Sequence, residues 1–138
     1  MNAQVYLELM KKHQEELSNF PIAYAFDEKQ LKEALEKLGA KKEECVSVTG
    51  YGDIMKKSDA PKFVGMLKRH KQELHELLKD EEVAMEAFLY EMDNHEYAIN
   101  YDGDGDVLGC FSLEYEDLKK MNLERAYLLA RKKHMETL

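Results

Sequence analysis

Two short β-strand patterns flank Gly50-Tyr51-Gly52, and helical patterns occupy the chain before and after them. Residues 45–49 carry β-branched side chains in alternation and residues 53–57 form the second pattern, so we expect a β-hairpin here. Glycine supplies the positive φ that a tight turn needs. Because the strands are grouped instead of alternating with helices, the sequence predicts an α+β fold with a small antiparallel sheet.

Helices are predicted where apolar residues recur every three or four positions behind a capping residue. The expected helices span residues 3–18, 28–38, 60–79 and 81–93, and a last helical region spans residues 112–136 with a break near Asn122. Pro21 and Gly39 end the first two helices, because proline restricts the residue before it and glycine adopts the left-handed conformation. About five or six helices are therefore expected.

The segment after the fourth helix is expected to complete the sheet. Residues 96–101 alternate as a third strand, residues 102–106 are typical of a tight polar loop, and residues 107–111 fit either a strand or one helical turn. The chain has 138 residues and no linker-like stretch. We therefore expect a single globular domain over residues 1–138, with its helices packed on the hairpin and the third strand.

The formal net charge is −8, which disfavours general nucleic-acid binding, since such proteins need cations to displace phosphate counterions. The charge is unevenly distributed. Residues 56–71 hold six basic residues against one acid, a net +5, whereas residues 72–106 hold twelve acids against one lysine, a net −11. We interpret most of this charge as the solvated surface of helices.

The two cysteines, Cys45 and Cys110, form no CxxC motif and are expected to be reduced, buried thiols. No apolar run approaches the ~20 residues that span a bilayer. Residues 1–12 mix polar and apolar side chains, unlike a signal peptide. We therefore expect a cytoplasmic protein without membrane association.

The acidic repeat at residues 102–106 resembles a calcium loop only in part. An EF-hand needs a bidentate Glu at its twelfth position. A loop that starts at Asp102 has Leu113 there, and one that starts at Asn100 has Phe111. Tight calcium binding is therefore not expected.

Polar side chains are concentrated at the predicted junction of the fourth helix and the third strand: Glu91, Asn94, His95, Glu96 and Tyr97. In the structural interpretation, Asn94 ends the helix and His95 bridges two backbone groups left without partners. In the functional interpretation, Glu91 orients His95 as an acid–base pair, and Tyr97 is a further catalytic candidate. We favour the structural interpretation, because helix ends require such partners and no nucleophile motif accompanies the pair.

Binding candidates are assigned at two places. The first is the hairpin turn, where Gly50 and Gly52 lie close to Lys57, a cation that can meet an anion. The second is the helix–strand junction, where Asn94 and Glu96 are candidates.

No metal or other cofactor is predicted, because HExxH, HxH and CxxC spacings are missing from the sequence. A histidine site would require His70 and His95 to converge with Glu91 or His13. His13 and His70 fall within apolar stripes of predicted helices, where a histidine is usually a packed side chain.

Several short motifs occur in a characteristic order: Asn19-Phe20-Pro21 with Ala25-Phe26, Leu38-Gly39, Gly50-Tyr51-Gly52 followed by Lys57-Ser58-Asp59, and Tyr90-Glu91 with Asn94-His95-Glu96-Tyr97. In these motifs the chain resembles a family of small, acidic, uncharacterised proteins of Gram-positive bacteria and their phages or mobile elements. The resemblance covers roughly the first three quarters of the chain. It implies an accessory factor of a mobile element and names no activity.

These observations favour a small, non-enzymatic accessory or interaction protein whose partner is another protein. The alternative is an enzyme with an acid–base site at Glu91 and His95.

Overall fold

The computed structural model describes residues 3–95 and 103–137. The chain divides into two compact units, one made of residues 1–12 and 71–138 and the other of residues 13–70. The single globular domain over residues 1–138 stays a prediction. Within the described ranges, no helix is both long enough and apolar enough to cross a bilayer.

Helices make up most of the described chain. The α-helices are α1 (Gln4–Ser18), α2 (Glu28–Leu38), α3 (Ala60–Leu77), α4 (Glu81–Asn94), α5 (Gly103–Gly109), α6 (Tyr115–Lys120) and α7 (Glu124–Glu136). A short 3-10 helix covers Lys42–Glu44. The strands are β1 (Ala23–Tyr24), β2 (Cys45–Val46) and β3 (Asp53–Lys56). The predicted α+β class is confirmed.

The helix count of five or six was too low, since the described residues form seven α-helices. Residues 103–106 are helical, although a polar loop was predicted at residues 102–106. The helix continues to Gly109, so residues 107–109, which fitted either a strand or a helical turn, are helical. Asp104 in α5 accepts a hydrogen bond from Tyr127 Oη in α7 at 2.5 Å, which holds this acidic segment against another helix. The predicted break at Asn122 is present, with a φ of 57° between α6 and α7.

The unit of residues 13–70 carries the sheet, in the strand order β1-β3-β2 with both pairings antiparallel. The predicted hairpin is confirmed, and Cys45 lies opposite Lys56. The described third strand is β1, in which Ala23 lies opposite Ile54. The third strand predicted at residues 96–101 falls outside the described residues.

Strand β2 is shorter than predicted because residues 47–49 pair with a side chain instead of a neighbouring strand. The Asp53 carboxylate accepts hydrogen bonds from Ser47 Oγ and Val48 N, both at 2.9 Å, and from Thr49 N at 3.2 Å. The Thr49 hydroxyl also donates to it. Asp53 is therefore the centre of the turn, although its sequence position suggested an ordinary strand residue.

Helix α2 begins and ends as its sequence predicts. Asp27 Oδ1 accepts a hydrogen bond from Gln30 N at 2.8 Å, and the Gln30 side chain accepts one from Phe26 N at 2.8 Å. Gly39 ends the helix with a φ of 62°. These contacts satisfy backbone groups that would otherwise lack partners at the helix ends.

Each unit has its own hydrophobic core. In the unit of residues 1–12 and 71–138, Phe111 packs on Tyr6 and on Phe88, with ring centroids 5.2 and 4.9 Å apart, and Phe88 also contacts Tyr127 at 5.2 Å. In the unit of residues 13–70, the two buried clusters contain Ile22, Met55, Phe63 and Met66, and Ala23, Ala34 and Leu38.

Gly52→Val is expected to lower the free energy of unfolding by more than about 1 kcal/mol. Gly52 has a φ of 88°, where a side chain is strained, and a Cβ there would lie 2.5 Å from Phe26 Cε1. Urea unfolding followed by circular dichroism measures the change. Gly109→Ala is the control, because its Cβ would meet open space. Equal unfolding midpoints for Gly52→Val and the wild type would contradict the strained turn.

Candidate functional site

Three candidate residues from the sequence, Glu91, Asn94 and His95, lie at the carboxyl end of α4. The buried residues of this helix are Ala84, Ala87, Phe88, Glu91 and Met92, so Glu91 lies on the apolar side of the helix. Helix α4 ends at Asn94, as predicted, and His95 follows as its C-cap. Residues four apart share a helix face, which places the side chain of His95 beside that of Glu91.

A tyrosine from α1 fixes the orientation of the Glu91 carboxylate. Tyr6 Oη donates a hydrogen bond to Glu91 Oε2 at 2.5 Å, and both residues are buried, at 2% and 8% exposure. Asn94 Nδ2 donates to the other oxygen, Oε1, at 3.3 Å. The carboxylate is thus held from both sides.

Cys110, which directly follows α5, brings a thiol to the same place. Its Sγ lies 3.3 Å from His95 Nε2 and 3.4 Å from the carbonyl oxygen of Asp106. His95 Nε2 is also 3.9 Å from Glu91 Oε1. One ligand atom from each of Glu91, His95 and Cys110 lies within 4.8 Å of the other two.

These three residues, which we call the Glu-His-Cys cluster, range from buried Glu91 to the His95 side chain at 38% exposure. Cys110 is partly buried. The cluster therefore opens to solvent on the side of the imidazole and is closed on the side of the carboxylate.

Burial and negative charge dominate the electrostatics of the cluster. Burial, with the nearby Glu91 carboxylate, raises the pKa of the Cys110 thiol to about 11. Burial and the hydrogen bond to Glu91 also raise the pKa of Tyr6. Within residues 3–95 and 103–137, His95 is the only basic side chain within ion-pair distance of Glu91.

The geometry disfavours a cysteine–histidine–acid triad. In a triad, the acid holds one imidazole nitrogen while the other nitrogen faces the nucleophile. Here Glu91 and Cys110 approach the same nitrogen, Nε2 of His95. Three donor atoms that converge on one point are typical of a metal site.

Comparison with protein-family models matches residues 5–133 to a family of unknown function, DUF7659. The chain belongs to the DUF7659 family. The match includes all three residues of the Glu-His-Cys cluster and Tyr6. It confirms an uncharacterised family, as the resemblance implied. The comparisons with curated proteins and with solved structures gave no match.

Of the other predicted site residues of this DUF7659 chain, one lies at the cluster, two lie outside the described residues and three lie at or near the hairpin. Asn94 joins the cluster through Glu91, whereas Glu96 and Tyr97 lie outside the described residues. Gly50 and Gly52 form the hairpin turn with positive φ. Lys57 follows β3, and its backbone N–H donates to the carbonyl of Glu44 at 2.8 Å.

One interpretation of the histidines changes, that of His95. Among the described residues, the His95 ring contacts the side chains of Cys110 and Glu91, not the two backbone groups that we expected it to bridge. His13 and His70 belong to the unit of residues 13–70, where their rings stack with centroids 3.8 Å apart.

Sequence reasoning missed Tyr6 and Cys110. Tyr6 had the spacing of a core residue on the first helix, and Cys110 had that of a buried thiol. The chain separation between Tyr6 and Glu91 is 85 residues, and that between His95 and Cys110 is 15. Neither separation matches a local metal-ligand spacing, so no local pattern links these residues.

Proposed function

We propose that this DUF7659 chain is a small accessory protein that binds one transition-metal ion of the zinc class at Glu91, His95 and Cys110. The observation that carries the proposal is the convergence of a carboxylate oxygen, an imidazole nitrogen and a thiol sulfur within 4.8 Å. The spacing-based expectation of no cofactor did not include Cys110, which supplies the third ligand.

The separations between the donor atoms suit a tetrahedral ion. With Zn–S near about 2.3 Å and Zn–N near about 2.0 Å, tetrahedral donors lie roughly 3.5 Å apart. The Sγ–Nε2 and Nε2–Oε1 separations are 3.3 and 3.9 Å. The separation between Cys110 Sγ and the Glu91 oxygen is bounded only by the 4.8 Å within which all three donors lie, so rotation of the side chains that brings this pair closer would complete the site.

Charge and donor chemistry support the same conclusion. A buried carboxylate is costly unless it is paired with a positive charge, and a cation supplies that charge. Thiolate and imidazole ligands select zinc-class ions over magnesium and calcium, which prefer oxygen. Tyr6 and Asn94 then act as residues that orient the Glu91 ligand through its two oxygens.

Three protein ligands leave a fourth position open, which suits either water or a group from a partner. We propose an accessory role with another protein as partner, in a phage or mobile element of a Gram-positive bacterium. The resemblance in the Tyr90–Tyr97 segment and the lack of a nucleophile motif support this role. The alternative is an enzyme in which Glu91 and His95 form an acid–base pair. It is supported less well, because Glu91 and Cys110 approach the same nitrogen of His95.

Cobalt titration of the purified chain tests the metal site, because thiolate coordination of Co²⁺ produces a charge-transfer absorption band. We expect one ion per wild-type chain, displaced by Zn²⁺. Cys110→Ser is expected to abolish the band, and Tyr6→Phe is expected to weaken affinity by about 10–100-fold through the lost orienting contact. Cys45→Ser is the matched control, since Cys45 lies in the other unit, and it should bind as the wild type does.

An unchanged band in Cys110→Ser, or wild-type protein that binds no Co²⁺ or Zn²⁺ at neutral pH, would overturn the proposed function. Circular dichroism of each variant checks that its helices are intact. If Cys45→Ser removes the band as Cys110→Ser does, the thiol ligand has been assigned wrongly.

A further inference from the structure

An exposed groove in the unit of residues 13–70 lies between β2 and the first half of α3. Val46, Ala60 and Val64 line it with apolar surface, and Lys57 and Lys68 line it with positive charge. Val46 and Val64 are each 36% exposed. Lys57 precedes α3, and Lys68 lies two turns beyond Ala60 on the same face of the helix.

The charge of this groove is opposite to that of the whole chain. The chain has a net charge of −8, whereas both charged residues that line the groove are lysines. The acid in residues 56–71, Asp59, pairs with Lys62 at 3.9 Å. The groove is therefore a positively charged, partly apolar surface on an acidic protein.

Gly65, in the interior of α3, forms part of the groove lining. Glycine inside a helix is unfavourable relative to alanine. A Cβ at this position would meet nothing within 4 Å, so the described structure offers no packing reason for glycine. A bare helix backbone in a groove permits a partner chain to approach closely, as small residues do at helix contacts.

We infer that this groove binds an acidic segment of another protein, with an apolar side chain in the groove and flanking Asp or Glu side chains against Lys57 and Lys68. Acidic side chains of the partner would be attracted to the two lysines, and its apolar side chain would be buried against the exposed valines. The bare backbone at Gly65 gives the segment room to lie close to α3. The groove residues belong to a different unit from the Glu-His-Cys cluster, so this inference and the proposed function fail independently.

The test is selection of short random peptides displayed on phage against the full chain, followed by affinity measurement of selected peptides by fluorescence anisotropy. We expect selected peptides to contain an apolar residue flanked by Asp or Glu. Their affinity should fall by at least about tenfold in the double variant Lys57→Glu, Lys68→Glu, and the decrease corresponds to about 1.4 kcal/mol. The control double variant Lys29→Glu, Lys37→Glu reverses two exposed lysines of α2 and should bind as the wild type does.

Gly65→Leu separates binding from folding. Leucine is a strong helix former and its Cβ meets open space, so we expect an equal or higher melting temperature. The larger side chain fills the groove, so affinity for the same peptides should fall by at least about tenfold. A variant that is at least as stable and binds more weakly cannot be explained by misfolding.

Three results would overturn the inference: no selected peptide, selected peptides without acids, or peptides that bind both groove variants as tightly as the wild type. A fourth is binding of the chain to phosphatidylserine-containing vesicles that is lost in Lys57→Glu, Lys68→Glu. That result would assign the groove to an anionic membrane surface instead of a protein.

Discussion

Asp53→Ala is expected to lower the free energy of unfolding by about 3 kcal/mol or more. The Asp53 carboxylate is 2% exposed and accepts hydrogen bonds from the side chains and backbone of residues 47–49. Hydrogen bonds to a charged group contribute about 1.5–3 kcal/mol each, and their removal leaves the partly buried N–H of Val48 and the donors of Ser47 and Thr49 without this partner. The substitution should therefore release the segment between β2 and β3.

Urea unfolding followed by circular dichroism measures this loss. Glu33→Ala is the matched control, since it removes an exposed carboxylate from α2 and should change stability by no more than about 0.5 kcal/mol. If Asp53→Ala unfolds at the same urea concentration as Glu33→Ala, the carboxylate does not organise the turn.

The same residue gives the protein a defined acid sensitivity. Burial raises the pKa of Asp53, but hydrogen bonds from Thr49, Val48 and Ser47 outweigh it and lower the pKa from 3.8 to about 2. A carboxyl whose pKa is lower in the folded state stabilises the fold above its unfolded pKa, and the stabilisation is lost as pH falls towards the folded pKa. We therefore expect wild type to lose stability between pH 3.8 and about pH 2 more steeply than Asp53→Asn.

Phe111→Ala is expected to lower the free energy of unfolding by about 3–5 kcal/mol. The Phe111 ring is fully buried, and it packs on Phe88 and Tyr6 with centroids 4.9 and 5.2 Å away. Its removal leaves a cavity in the aromatic core of residues 1–12 and 71–138. Since Tyr6 orients Glu91, the variant should also bind Co²⁺ more weakly than the wild type does.

Thermal and urea unfolding measure the first effect, and cobalt titration measures the second. Phe26→Ala is the matched control, because it removes the same ring from a position that is 74% exposed. We expect it to change stability by no more than about 0.5 kcal/mol and to leave cobalt binding intact. A Phe111→Ala protein as stable as Phe26→Ala would contradict the aromatic core.

Only two of the four residues of the candidate site, Glu91 and His95, were predicted from the sequence. Glu91 and His95 are four residues apart on one helix, so local periodicity places them side by side. Cys110 and Tyr6 reach them through the packing of α5 and α1, and chain separations of 15 and 85 residues carry no local pattern. The sequence therefore indicated an acid–base pair, whereas the structure shows a three-donor cluster held by a tyrosine.

For the fold as well, local elements were predictable from the sequence and long-range contacts were not. Elements that depend on neighbouring residues were correctly predicted: the capping of α2 by Asp27, its end at Gly39, and the hairpin turn with positive φ at Gly50 and Gly52. The pairing of β1 with β3 was not predicted, because it joins segments about thirty residues apart and depends on backbone hydrogen bonds that no side-chain pattern specifies.

Residues 47–49 and 103–109 show where tertiary contacts override local preference. The alternation of residues 45–49 favoured a longer strand, but the Asp53 carboxylate takes the hydrogen bonds of residues 47–49. Asp and Gly favoured a loop at residues 102–106, but burial of Val107 and Leu108 and the contact of Asp104 with Tyr127 stabilise a helix over residues 103–109. Local chemistry thus set the helix ends and the turn. Long-range packing determined the sheet partners, the helicity of α5 and the residues of the cluster, because the free energies of these contacts arise only when distant segments meet.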